Sequence, residues 1–192
     1  MTKQDIQKRI LQNGEPLPLN KFTWDEKTKS FSSNENDLVL DFNGINGVTF
    51  KTGDYCTFKT SGWCTFKTGY SCTFKTGEWC TFKTSGWCTF DTGVYCIFKT
   101  CSECIFKTGS SCTFDTGGWC TFDTGDWCMF STSSNCTFNT GHNCTFKTGY
   151  SCIFKTGEKC VIIRTDIYEV IEVNNKKIKL NGNEIKGYSF VN

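Results

Sequence analysis

The sequence has almost no histidine, proline or methionine: one, two and two residues respectively. With His142 as its only imidazole, the chain has no partner histidine for acid–base work and no Cys/His set of the usual zinc spacing. It lacks an excess of either charge. Lys and Arg number 21 against 19 Asp and Glu, for a formal net charge of +2, which argues for neither nucleic acid nor an acidic surface as a partner. No run of 18 apolar residues occurs, so no membrane span is expected. The first residues, MTKQDIQKRILQNG, carry no apolar h-region and no small-residue cleavage site. A protein made and kept in a reducing compartment, with free thiols, is therefore expected. Phosphate loops, nucleophile elbows and carboxylate pairs are also missing. The chain is accordingly expected not to be an enzyme and to carry no cofactor and no metal.

What is present is a bias toward three residue types: 15 Cys, 18 Phe and 18 Gly in 192 residues. Its source is an internal repeat. Cys recurs at every eighth position from Cys56 to Cys160. Phe follows two residues after each site from Phe50 to Phe154, and Thr four residues after each site from Thr52 to Thr156. The unit is C-T-F-K-T-G-x-x, with divergent copies at Leu40/Phe42 and Val48/Phe50. Cys, Phe and the second Thr are spaced by two and share one face of a strand. The first Thr and the Lys share the other. Gly or Ser and two variable residues then form a corner, where permissive dihedrals are expected. One such strand cannot bury its own face, but a stack of copies can. The chain is thus expected to be all-β, a parallel β-solenoid wound within one chain.

The coil length is read from departures from the consensus. Asp91, Asp115 and Asn139 replace Lys at intervals of 24. Ile105, Met129 and Ile153 replace the first Thr at the same interval, and Ser61, Ser85 and Ser133 share one 24-residue column. These coincidences point to three 8-residue faces per 24-residue coil, a triangular prism of about five coils. Phe82, Phe106 and Phe130 should then stack directly. The ends differ from the array. A short helix is expected near Lys3 to Gln12, and after Cys160 alternating segments with Asn-rich turns read as a small antiparallel sheet. The predicted organisation is an N-terminal cap over 1–39, the octapeptide solenoid over 40–164 and a C-terminal β cap over 165–192.

The fourteen in-register cysteines read as small apolar side chains turned inward. Cys101 is out of register and forms a lone C-x-x-C with Cys104, without a basic neighbour or helix start to activate it. The Phe ladder is core, and the second Thr should bond to the corner backbone. The position before each Cys is aromatic at Tyr55, Trp63, Trp79, Trp87, Tyr95, Trp119 and Trp127. These residues are the candidate binding surface for a protein or glycan; the competing reading is that they cover neighbouring corners. With 24-residue coils, Lys59, Lys83, Lys107 and Lys155 would form one basic row and Lys51, Lys75, Lys99 and Lys147 another, solvated and offset by Asp54, Glu78, Glu103 and Asp126. The flat two-Thr row of ice-binding solenoids is absent, because here Thr alternates with Lys.

The CTFKTG repeat, preceded by LVLDFNGINGVTFKTGDYC and followed by CVIIRTDIYEVIEV and IKGYSFV, resembles a group of proteins from bacteriophages and some bacteria. The C-x-F pair is also distantly similar to pentapeptide-repeat proteins, although a unit of eight departs from their five. The resemblance implies a phage-associated origin with a structural or accessory role. The expected function is a non-enzymatic structural or adhesion module of a phage particle or its fibre. A phage-encoded intracellular protein that binds a host protein is the alternative, and a carbohydrate-active fibre protein a third. The expected location is the host cytoplasm or the virion, without nucleic-acid or membrane partners.

Overall fold

The computed structural model describes residues 1–191. Almost every repeat forms a strand of three or four residues, such as Thr65–Lys67, Thr81–Lys83 and Ile97–Lys99. Period-two burial follows the unit as expected. In Thr81–Lys83 the Phe is buried between exposed neighbours, and Cys80 and Thr84 on either side are buried too. The strands stack in parallel and in register, so the chain is a parallel β-solenoid.

The coil is two-sided, however, and closes in 16 residues rather than 24. Phe82 pairs with Phe66 on one side and Phe98 on the other. Phe90, from the next unit, pairs with Phe74 and Phe106 in the opposite sheet. Successive units therefore alternate between sheet A, which contains Thr73–Lys75 and Thr89–Thr92, and sheet B, which contains Thr81–Lys83 and Ile97–Lys99. Parallel pairing runs from Ser30–Ser32 to Cys160–Arg164 in sheet B and from Leu38–Phe42 to Ile153–Lys155 in sheet A. At roughly 4.8 Å per rung, eight rungs make a rod about 38 Å long.

The phenylalanines explain why two faces suffice. Phe106 stacks on Phe90 and Phe122, with ring centroids 4.8 Å apart in both cases. It also meets Phe98 and Phe114 of the other sheet edge-on, at 5.2 Å. Rings from the two sheets thus interdigitate into one continuous layer of alternating stacked and T-shaped contacts, both favourable aromatic geometries. A third face would hold the sheets apart and break the T-shaped contacts. The 24-residue coincidences came from outward positions such as Asp91, Asp115, Ile105 and Met129, which are exposed and do not have to match their neighbours. Their true columns are different: Asp91 stacks between Lys75 and Lys107, and Asp115 between Lys99 and Ser131.

The corners are built differently from the expectation as well. The permissive backbone lies at the residue before Cys, which is left-handed in all fourteen units: φ is 60° at Trp79, 63° at Glu103 and 58° at Lys159. None of these residues is Gly, and each costs on the order of 1 kcal/mol. Their N–H groups donate to carbonyls one coil further on, Trp79 N to Val94 O at 3.0 Å and Trp127 N to His142 O at 2.9 Å. Glycine answers a different need. A Cβ on Gly77 would lie 2.8 Å from Gly62 N, so the corners pack too closely to admit one.

All four open sheet edges are covered by antiparallel strands. At the N-terminus, Ile10–Gln12 pairs with Leu38–Phe42 and Thr23–Asp25 with Ser30–Ser32. The helix is shorter than expected, Lys3–Gln7, closed by a capping box between Thr2 and Asp5. Ile10 and Leu11 belong to the covering strand instead, because the exposed rung needs backbone partners. At the C-terminus, Lys177–Leu180 covers Ile153–Lys155 in sheet A and Val170–Val173 covers Cys160–Arg164 in sheet B. The antiparallel cap is present, but it extends both sheets instead of forming a separate one. Asn174–Asn175 is accordingly a corner between sheets; Asn175 has φ 49°, as in the other corners.

Arg164 organises this cap. It takes the inward place one rung beyond Thr148 and is fully buried. Its guanidinium holds both carboxylate oxygens of Asp166 and donates to Gly182 O and Ile185 O. Burial opposes the charge on Asp166, but the Arg164 hydrogen bonds prevail and hold its carboxyl below the ordinary range.

Two outcomes are expected. Phe106→Ala should cost about 3–5 kcal/mol in chemical denaturation. In double-mutant cycles Phe106 should couple to Phe90 and not to Phe82, 24 residues away; equal coupling to both would contradict the two-sided coil. Asp166→Asn should cost about 1–3 kcal/mol, by removing the bidentate partner of buried Arg164 and leaving its charge only the longer contact to the Glu169 carboxylate at 3.7 Å. Because the folded-state pKa of Asp166 is depressed, its contribution is complete above the unfolded value near 3.9 and is lost as the pH falls through the lower folded value. The Asn variant should therefore differ most from the parent at neutral pH and least in acid, which acid titrations of both proteins measure.

Candidate functional site

The sequence-predicted aromatics all lie at corners and all are exposed. The two-sided coil divides them between two edges of the rod. One edge brings Trp63, Trp79 and Tyr95 together on successive rungs. Trp63 and Trp79 stack with centroids 5.1 Å apart, and Trp79 and Tyr95 at 4.3 Å. These side chains remain 60%, 43% and 47% exposed. Trp127 is on the same edge, separated from Tyr95 by Ser111. The other edge carries Tyr55, Trp87 and Trp119 on alternate rungs, with Ser71 and Glu103 between them. Covering of neighbours is thus real for the three-ring stack, yet it leaves a continuous aromatic ridge in solvent.

The corners also hold a polar ladder that sequence reasoning missed. The second corner residue of one coil accepts the backbone N–H of its counterpart one coil on. Ser110 Oγ accepts from Asp126 N at 3.0 Å, Asp126 Oδ1 from His142 N at 2.7 Å, and His142 Nδ1 from Glu158 N at 2.9 Å. The lone histidine is therefore a structural acceptor. Its signal was the run of acceptors at Ser110, Asp126 and His142, spaced by 16, the same spacing that separates Trp63, Trp79 and Tyr95.

The interior thiols are enclosed. All fifteen cysteines are free, and all but Cys101 are buried. Cys88 Sγ lies 3.4 Å from Gly86 O and 3.7 Å from Gly69 O, so the thiol donates to corner carbonyls of its own coil and of the preceding one. Stacked thiols shift one another in opposite directions: the neighbouring Cys80 thiol and burial push the Cys64 thiol up, and the Cys56 and Cys88 thiols and burial push Cys72 up, while hydrogen bonds from the Cys104 and Cys72 thiols bring Cys88 down. Enclosure, with 0–1% of each in-register cysteine exposed, keeps these thiols out of reach of a reagent in water. The inward Thr hydroxyls bond to corner carbonyls as expected in most copies, Thr60 to Ser61 O at 3.1 Å for example, whereas those of Thr68, Thr92, Thr140 and Thr156 are buried without a partner.

The basic rows are regrouped. The outward column of sheet B runs Ser32, Lys51, Lys67, Lys83, Lys99, Asp115, Ser131, Lys147. That of sheet A runs Lys59, Lys75, Asp91, Lys107, Asp123, Asn139, Lys155. Sheet A mixes signs along its length, while the N-terminal half of sheet B does not. Surface hollows are shallow. One of about 340 Å³ is lined by Asp115, Ser131, Thr132, Ser133, Tyr150 and Asp166, and its two carboxylates face Lys99 and Arg164 respectively. Among the described residues no group of three or more His, Cys, Asp or Glu is placed to hold a metal ion.

No known family model, curated protein or solved structure matches the chain.

In the native protein one thiol, Cys101, should react quickly with a water-soluble thiol reagent, and fifteen should react in denaturant without reductant. Cys101→Ser should abolish the fast reaction. Fewer than fifteen groups in denaturant would mean that disulfides form.

Proposed function

We propose that the protein is a non-enzymatic adhesion or structural module, a rigid rod that docks onto another protein through the Trp63–Trp79–Tyr95 ridge. The observation that carries this reading is the exposed three-ring stack itself. Aromatic side chains are enriched at the centres of protein interfaces, and these three are held in place by one another, so little side-chain freedom is left to lose on binding. Stacking covers both faces of Trp79 and one face each of Trp63 and Tyr95, which leaves less flat ring surface for a sugar and favours a protein partner over a glycan at this edge. The resemblance of the repeat to phage-associated proteins suggests the setting, a component of a phage particle or its fibre. The fifteen free thiols favour a second setting, a phage-encoded protein that binds a host protein inside the cell.

Quantitative mass spectrometry of purified virions separates the settings. A particle component should be recovered at a fixed stoichiometry, and Trp79→Ala should lower its incorporation at least tenfold while leaving the melting temperature within a few degrees. Absence of the parent protein from virions would overturn the particle role, and undiminished incorporation of the variant would overturn the role of the ridge.

A further inference from the structure

We infer that the N-terminal half of sheet B is a binding surface for a linear acidic polysaccharide, with Lys51, Lys67, Lys83 and Lys99 as its anion-binding row. The four are paired in register on consecutive rungs, all exposed, at roughly 4.8 Å per rung. Like charges directly across from each other in a sheet are destabilising. The column finds its first carboxylate only at Asp115, whose Oδ2 lies 3.9 Å from Lys99 Nζ. Sheet A, made from the same unit, places Asp91 and Asp123 among its lysines and relieves this repulsion. The repeat therefore tolerates Asp at the Lys position, and the uninterrupted row in sheet B costs stability that a bound polyanion would restore.

The remaining chemistry of the face narrows the ligand. Thr49, Thr65 and Thr81 form a parallel column of exposed hydroxyls two residues before the lysines. Three of the four rungs thus offer one cation and one hydroxyl, and the fourth places Ile97 beside Lys99, a pattern suited to a chain that carries both anionic groups and hydroxyls. Spacing discriminates further. An acidic peptide laid along the rod in extended form would present same-side carboxylates about every 6.8 Å. A stacked nucleic-acid strand would present phosphates about every 3.4 Å. Neither keeps step with the rungs over four coils. A flat chain of linked hexuronate rings turns alternate carboxylates to opposite sides, so same-side carboxylates recur at nearly every second rung, where alternate lysines can take them while ring hydroxyls meet the threonines.

This surface is separate from the aromatic ridge, and removing lysine charge leaves all three rings in place, so the two can be lost independently. The test uses the full chain and polygalacturonate as the probe, at low ionic strength, with isothermal calorimetry. Lys67→Gln/Lys83→Gln should weaken binding at least tenfold, and Lys59→Gln/Lys75→Gln, on sheet A, less than twofold. Thermal unfolding of the sheet B variant should occur at the same temperature as the parent or higher, since repulsion is relieved, which separates lost binding from lost fold. Neutral dextran should not bind, and oligothymidylate of matched charge should bind more weakly than polygalacturonate. The inference is overturned if polygalacturonate does not bind, if both double variants lose affinity equally, or if the oligonucleotide binds as tightly or more tightly.

Discussion

Within the octapeptide array, from Phe50 to Phe154, every inward side chain sits on a copy of itself sixteen residues away, and this register supports the rest of the structure. Phe stacks on Phe, Cys lies over Cys, and the second Thr over Thr, while the opposing sheet fills the half-rung between them with edge-on rings. Burial of so many phenylalanines, at roughly 1.5–3 kcal/mol each, offsets the entropy of ordering a long array of three-residue strands. None of those strands could persist alone. The register also encloses the in-register thiols: from Cys72 to Cys160 each lies against a carbonyl of its own corner and one of the preceding coil.

The register has a cost at the corners. Turning from one sheet to the other within three residues puts the residue before each Cys in the left-handed region, with non-Gly side chains at all fourteen sites. Side chains there cannot turn into the core and so project outward at the two edges. The aromatic ridge is a consequence of this geometry: a strained corner repeated on successive rungs aligns whatever side chain occupies it, and at Trp63, Trp79 and Tyr95 the occupants stack. The same alignment turns Ser110, Asp126 and His142 into a hydrogen-bonded ladder. Periodicity thus converts single-residue choices into continuous surfaces, of which the ridge and the lysine row are two.

Much of this was legible in the repeat. Alternation of Cys, Phe and Thr with Thr and Lys identifies strands and their inward face, because period two permits no other assignment of those side chains. The need for caps was legible too, since open rungs leave backbone groups unpaired. The number of faces was misread because it was inferred from exposed positions. Asp91, Met129 and Ser133 vary freely where solvent is the neighbour, and three coincidences at 24 residues carried no packing constraint. Residues that do touch along the stack, Trp63 with Trp79 and Tyr95, or Asp126 with His142, recur at 16. The left-handed corners were hidden because Trp, Ser, Glu, Asn and Lys all occupy them, so no residue type marked the conformation. Arg164 was invisible as a core residue because Asp166, two residues on, reads as an ordinary exposed charge, and the Gly182 and Ile185 carbonyls become its neighbours only after the cap folds.

The two-sided coil decides which residues share a surface, and both the aromatic ridge and the lysine row depend on it. Through-space NMR contacts of the Ile97 methyl groups test it most directly. Ile97 points outward from sheet B, where its neighbours at a spacing of 16 are Thr81 and Thr113. The residues 24 away, Thr73 and Thr121, lie in sheet A on the far side of the rod. Cross-peaks from Ile97 to Thr81 and Thr113, with none to Thr73 or Thr121 and none between differently labelled chains, are predicted. Cross-peaks to Thr73 and Thr121, or between chains, would contradict the account.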